Sequence, residues 1–217
     1  MKASDRAYRA LREDIVDGRL LPGTVLAEVE QSQRLGISRT PLREALSRLT
    51  ADGLAAPHSG RGVVVTGISP DTVADLFELR QALECKAASL AASRGEPGTF
   101  TTLRREFDNA EHLILQEAGT DPFRSGYYSL VARLDDAIDT AAANPYLTQA
   151  LDNVRLHLAR VRRLAKDNPE RLLATAGEHA TIAAAIASRD PVLAAAATSV
   201  HLHKSLEHFL AAAAPPG

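Results

Sequence analysis

Apolar positions recur at helical spacing along most of this chain, interrupted once by a short stretch where the spacing tightens to that of strands. Over residues 4 to 17, Tyr8, Leu11 and Ile15 share one face, and Gly18 is placed to end the helix. A connection through Pro22 and Gly23 leads to a second helical segment from about Ala27 to Leu35, stopped by Gly36. A third begins after Ser38, which is placed to cap it, with Pro41 early enough in the first turn for its missing NH to cost little. In that segment Leu42, Ala45, Leu46 and Leu49 fall on one arc, Thr40, Arg43 and Ser47 on the next, and Arg39 leads at the N-terminal end. Beyond Gly53, the apolar runs Leu54-Ala55-Ala56 and Val63-Val64-Val65 flank His58-Ser59-Gly60-Arg61-Gly62, the pattern of a two-stranded hairpin with an arginine at its tip. Three helices followed by such a hairpin predict a winged helix-turn-helix over residues 1–66.

Residues 67–70 break the pattern and read as a linker. From there the chain is helical almost to its end, and residues 71–213 predict an all-α antiparallel bundle, so the chain as a whole is mostly α. Asp71 is placed to cap a helix running to about Ser93, with Val73, Leu76, Leu79, Leu83 and Ala87 inward. Further helices are expected over 100–117, 122–143, 146–166, 169–188 and 191–213, punctuated by Asn144-Pro145, Asn168-Pro169 and Asp190-Pro191. Bundles of this kind place ligand sites between facing helices.

Composition refines this picture. A length of 217 residues suits two domains, and 45% hydrophobic residues exclude a disordered chain. No long apolar run suggests a signal peptide or a membrane span, and a single cysteine, Cys85, fits a reducing cytoplasm. The formal net charge of -2 conceals an uneven distribution. Residues 1–66 hold ten Lys and Arg against eight Asp and Glu, and the remainder fifteen against nineteen. Five of the ten lie between Arg34 and Arg61, so the basic patch is local and modest. Two copies in a homodimer would double its contacts with duplex DNA.

Arginine's planar fork can donate two parallel hydrogen bonds to guanine O6 and N7, or clamp a phosphate. The plainer reading, in which Arg39, Arg43 and Arg48 only solvate a surface helix, loses its force once the helix-turn-helix order and the wing are counted. Asp17-Gly18, Leu21-Pro22-Gly23, Leu26-Ala27-Glu28, the run from Leu35 to Leu46 and Gly60-Arg61-Gly62 together resemble the GntR family of bacterial transcription regulators. That resemblance covers nearly all of residues 4–66. It implies operator contacts by Ser38, Arg39 and Arg43, with Ser59, Gly60 and Arg61 near the minor groove, and Thr40, on the Arg43 arc, is a further candidate for DNA contact. Some members carry a further arginine where this chain has Val29.

The second half resembles the all-helical effector-binding domain of the FadR subfamily, the FCD domain. The residues that carry this resemblance are Leu79-Arg80-Gln81-Ala82-Leu83-Glu84, Ala142-Ala143-Asn144-Pro145-Tyr146-Leu147, Glu178-His179, Ile182, Asp190 and His201. Many members bind a divalent metal through an aspartate, a histidine four residues later and two more histidines. His179 and His201 match the last two, but Val131 and Asp135 occupy the first two positions. Valine cannot ligate, so the four-ligand set is broken. Val131, Asp135 and Ile138 share one stripe, which points Asp135 inward where an unpaired charge is costly. Two readings stay open: a zinc-like ion held by Asp135, His179 and His201, or a metal-free pocket in which Asp135 meets a histidine or an arginine. Arg80 and Arg160 are candidates to grip a carboxylate in the bidentate manner. The resemblance implies a small carboxylate-bearing effector.

Two functions from different classes follow. One is a homodimeric, cytoplasmic regulator, repressor more than activator, whose bundle binds a metabolite and alters operator affinity. The other is a metal- or carboxylate-dependent enzyme tethered to a DNA-binding module. Against the second, the chain holds no nucleophile elbow, phosphate loop or hydrolytic zinc-helix histidine pair.

Overall fold

The structure is a computed structural model that describes residues 1–59, 62–116, 124–164 and 168–213. It divides into two compact units, residues 1–73 with 155–164, and 74–154 with the residues from 165 onward.

The first unit opens with α1 (Ala3–Val16), followed by β1 (Val25–Ala27), α2 (Glu28–Leu35), α3 (Arg39–Ala51), β2 (Ala55–Pro57) and β3 (Gly62–Val65). The expected hairpin is one half of a three-stranded antiparallel sheet of order β1-β3-β2, in which Ala27 pairs with Gly62 and Ala56 with Val64. Strand β1 escaped the sequence reading because Val25-Leu26-Ala27 is too short to establish alternation. Gly36 ends α2 in the left-handed conformation at φ 62°, and the NH of Ile37 returns to the Ser32 carbonyl at 3.1 Å, which makes the tight turn into α3. The apolar arc of α3 is buried as its spacing requires: Ala45 is fully covered, and Leu42, Leu46 and Leu49 join Leu11, Ile15, Leu26, Leu54 and Val65 in one core. Each buried leucine contributes about 1.5–3 kcal/mol relative to an exposed one.

Polar links fix the helices around that core. Asp14, on α1, accepts from Arg19 at 2.6 Å and from Arg34 of α2 at 2.7 Å. Burial alone would raise its carboxyl, but these two guanidinium groups outweigh it and hold the pKa below the ordinary value. Tyr8 donates to Asp52 at 2.6 Å, and Arg48 lies over the Tyr8 ring, 3.9 Å from its centroid, while bonding Asp5 at 2.9 Å. Arg48 therefore braces α3 against α1.

The helices beyond the sheet are α4 (Pro70–Arg94), α5 (Pro97–Asp108), a short π-helix (His112–Gln116), α6 (Ser125–Ala142), α7 (Pro145–Leu164), α8 (Pro169–Ala187) and α9 (Pro191–Ala213). Ser69 rather than Asp71 caps α4, its hydroxyl accepting from Thr72 NH at 3.1 Å. The single helix expected over 100–117 is divided: α5 ends at Asn109, whose amide donates to the Arg105 carbonyl at 2.7 Å and so competes with the helical ladder. The Asn-Pro and Asp-Pro junctions act as read, since Asn168 accepts from Glu170 NH at 2.9 Å and Asp190 from Leu193 NH at 2.9 Å. The bundle core mixes small and large residues: Ala88, Ala91, Ala92 and Ala183 pack in one cluster with Phe100, Phe107, Tyr127 and Ile186.

Candidate nucleic-acid interface and the buried bundle cluster

The site on the first unit follows from how α3 is seated. With its leucine arc buried, Ser38, Arg39, Thr40 and Arg43 are all exposed on the opposite side, and Ser59 is exposed beyond β2. Gly60 and Arg61, the remainder of the expected wing tip, lie outside the described residues. Ser38 occupies the N-cap position but makes no side-chain cap hydrogen bond, so its hydroxyl is not spent on the helix as the sequence reading supposed. Glu28, at the start of α2, stands in the sequence motif but was not read as a site residue. Its carboxylate accepts from Arg43 Nε at 2.9 Å on both oxygens and pairs with Nη2 at 2.9 Å. The Arg43 side chain is 58% exposed and that of Glu28 only 12%, so the acid lies beneath the guanidinium and the base points outward. The hydrogen bond that Arg43 donates to Glu28 raises the arginine's pKa further, so it stays a cation.

In the second unit the structure places Arg80, His179 and His201 in buried positions and Asp135 in a half-buried one. The His179 ring lies between Phe107 and His201, with centroid separations of 5.0 and 4.6 Å. His201 Nδ1 lies 2.8 Å from Glu178 Oε2. Glu178 also accepts from Nη1 and Nη2 of Arg171, at 2.7 and 2.9 Å, and Arg171 Nη2 also donates to Ser205 at 3.1 Å. Desolvation opposes the charge on Glu178, but the hydrogen bonds from His201 and Arg171 overcome it and hold the carboxyl at about 2. Burial pushes His201 below its ordinary value, with the Glu178 bond opposing and Arg80 reinforcing the shift. A neutral His201 facing a carboxylate carries its proton on Nδ1, leaving Nε2 as an acceptor. Arg80 is itself held by Glu84, through Nε at 2.7 Å and Nη2 at 3.3 Å, and rests on the Phe77 ring.

Two expectations change here. Arg160 does not join this cluster: it belongs to the first unit, where Nη1 donates to the Thr66 hydroxyl at 3.1 Å. One helical turn earlier, Leu156 enters the core of that unit and His157 Nε2 lies 2.8 Å from the Asp52 carbonyl, so this face of α7 is committed to packing. The donor set for a metal does not fit either. Among the described residues no three His, Cys, Asp or Glu side chains converge as ligands, although Asp135, His179 and His201 are all described. His201 directs Nδ1 to Glu178 rather than to a shared centre, and an acid already chelated by Arg171 is a poor ligand. A separate groove of about 600 Å³ between α5 and α6, flanked by Arg105, His112 and Arg133, includes none of the cluster residues.

A winged helix-turn-helix with outward arginines, carried with an all-helical unit, defines a DNA-binding transcription regulator. Residues 3–65 match the bacterial regulatory proteins of the gntR family, and residues 75–204 match the FCD domain. The chain belongs to the GntR family, in its FCD-domain form. It is 31% identical over 212 residues to the HTH-type transcriptional repressor RspR of Escherichia coli K12, covering 94% of this chain and 87% of that protein. It is 24% identical over 204 residues to the transcriptional regulator YdhC of Bacillus subtilis, covering 93% and 88%. Its fold matches E. coli McbR/YncC with a TM-score of 0.74 at 19% identity, covering 97% and 98% of the two chains. A GntR regulator of Rhodococcus sp. RHA1 matches equally, at 20% identity over 96% and 98%. The matched families and the relative RspR are regulators, not enzymes, which removes the tethered-enzyme reading. No described helix is long and apolar enough to cross a membrane.

Proposed function

We propose that the chain is a cytoplasmic, homodimeric repressor that holds operator DNA through α3 and the wing, and whose bundle senses a small carboxylate-bearing metabolite. The observation that carries the DNA half is the outward presentation of Arg39 and Arg43 on a helix whose other face is fully buried. Two such helices related by a two-fold axis would read two half-sites and double the phosphate contacts that a weakly basic module lacks. The similarity to RspR, a transcriptional repressor, supports repression.

The sensing half rests on the cluster of Arg80, His179 and His201, with Asp135 half-buried on α6. It offers a buried cation, an imidazole acceptor and aromatic walls, a combination suited to an organic acid that also carries a hydroxyl. Binding alters repression only if the acid prefers one arrangement of the dimer over another. A thermal-shift screen of small hydroxy and keto acids on the full-length chain, with and without zinc, tests this directly. An acid that raises the melting temperature and changes operator affinity supports the reading, and the same shift without zinc favours the metal-free pocket. If no acid does either, the sensing half fails while the DNA half stands.

A further inference from the structure

Arg43 could serve DNA in two ways, as a mobile cation that any phosphate attracts or as a rigid fork that reads a base. The structure distinguishes them through Glu28. A guanidinium has two edges that can donate paired hydrogen bonds: a side edge of Nε with one hydrogen of Nη2, and an end edge of Nη1 with the other hydrogen of Nη2. The Glu28 carboxylate occupies the side edge, with three contacts of 2.9 Å. The end edge is untouched by that carboxylate and has the spacing of guanine O6 and N7.

Resting on the DNA-binding reading above, we infer that Glu28 is a positioning residue for Arg43, fixing its guanidinium so that its end edge reads a guanine in the major groove. Glu28 opens α2 and Arg43 sits one turn into α3, and both helices are fixed by the tight turn at Gly36 and by the buried leucine arc. The clamp therefore exists before DNA arrives, so the ordering of a long side chain is complete before binding rather than charged against it. An anion beside a DNA-binding surface would otherwise be a liability, because it repels phosphate and weakens binding to every sequence alike. Its shielded position beneath Arg43 fits a role in selectivity.

The test uses the full-length chain and a pool of random-sequence duplexes. The wild type, Glu28→Gln, Glu28→Asp and Arg43→Ala proteins are each carried through enrichment, then titrated at fixed salt against the wild-type consensus and its single-base substitutions. Glu28→Gln should lose roughly tenfold in preference for one guanine per half-site, the same position that Arg43→Ala relaxes, while affinity for scrambled duplex is unchanged or tighter. Adding Glu28→Gln to Arg43→Ala should cost nothing more at that position. Glu28→Asp keeps the charge but is shorter by a methylene, and should lose preference as well. Retention of the guanine preference by Glu28→Gln overturns the proposal, as does an equal loss at all positions or wild-type selectivity in Glu28→Asp. Should the wild type enrich no sequence, the DNA-binding reading fails and takes the proposal with it.

Discussion

Arg43 and Arg80 are held in the same way and set to different tasks. Each gives Nε and Nη2 to a glutamate, Arg43 to Glu28 across two helices and Arg80 to Glu84 one turn along α4. The Arg43 side chain is 58% exposed, whereas that of Arg80 is 7% exposed and backed by Phe77. In water an ion pair adds little stability, so the Glu28 clamp organises a surface without holding the fold together. In the bundle the same pair cannot be broken cheaply, because a lone buried guanidinium keeps its full desolvation cost. A glutamate on the same edge of the guanidinium thus yields selectivity at one site and stability at the other, and the surrounding dielectric decides which.

The sharpest way to break that comparison is to remove each acid. Glu84→Ala should destabilise the chain by about 3 kcal/mol, as expected when a buried pair loses one member, whereas Glu28→Ala should leave the unfolding midpoint in urea unchanged. Equal effects would show that exposure is not what separates the two. Arg43→Ala should weaken binding to the enriched duplex on the order of ten- to a hundredfold without altering thermal stability. Arg48→Ala, which removes the brace against Tyr8 and Asp5, should instead act on melting, a contrast between two arginines of one helix. Gly62→Ala should cost about 1 kcal/mol or more. Its φ of 140° suits glycine, and a Cβ there would collide with the Leu26 carbonyl, so circular dichroism melts should shift and DNA binding should weaken with the wing.

The smallest effect expected is on pH dependence. His201 is held below its ordinary value of 6.5, so as pH falls through 6.5 the unfolded chain takes a proton that the folded chain refuses, and stability declines. Glu178, at about 2 in the fold against an ordinary 4.5, contributes stability that is complete above 4.5 and is lost as pH falls toward 2. Melting temperatures measured from pH 7 to 5 should therefore fall, and His201→Gln should flatten that slope. A slope unchanged in His201→Gln would place the titration elsewhere.

How much was legible in the sequence follows from which interactions are local. The α3 register, the Gly36 turn and the proline-marked helix starts were readable because each depends on neighbours within a turn or two. Contacts across long separations were not: Glu28 meets Arg43 fifteen residues on, and Glu178 meets His201 twenty-three residues on. The motif that carries Glu178-His179 drew attention to the histidine, whereas Glu178 is the residue that joins Arg171, His201 and α9. Arg171 and Glu178 lie seven apart on one face of α8, a spacing that could have suggested the pair. Arg160 was misassigned because periodicity tells which residues share a face but not what that face covers.

Strand β1 ends at Ala27, one residue before Glu28, and Ala27 is paired with Gly62, the first residue of β3. The acid that grips Arg43 and the strand leading to the wing tip are thus riveted to a common backbone ladder. A shift of the hairpin by even one register would drag the start of α2 with it and loosen the guanidinium. On the proposed reading, the wing and the recognition helix would then act as two jaws of a single rigid tool, and a lesion in either jaw should be felt by the other.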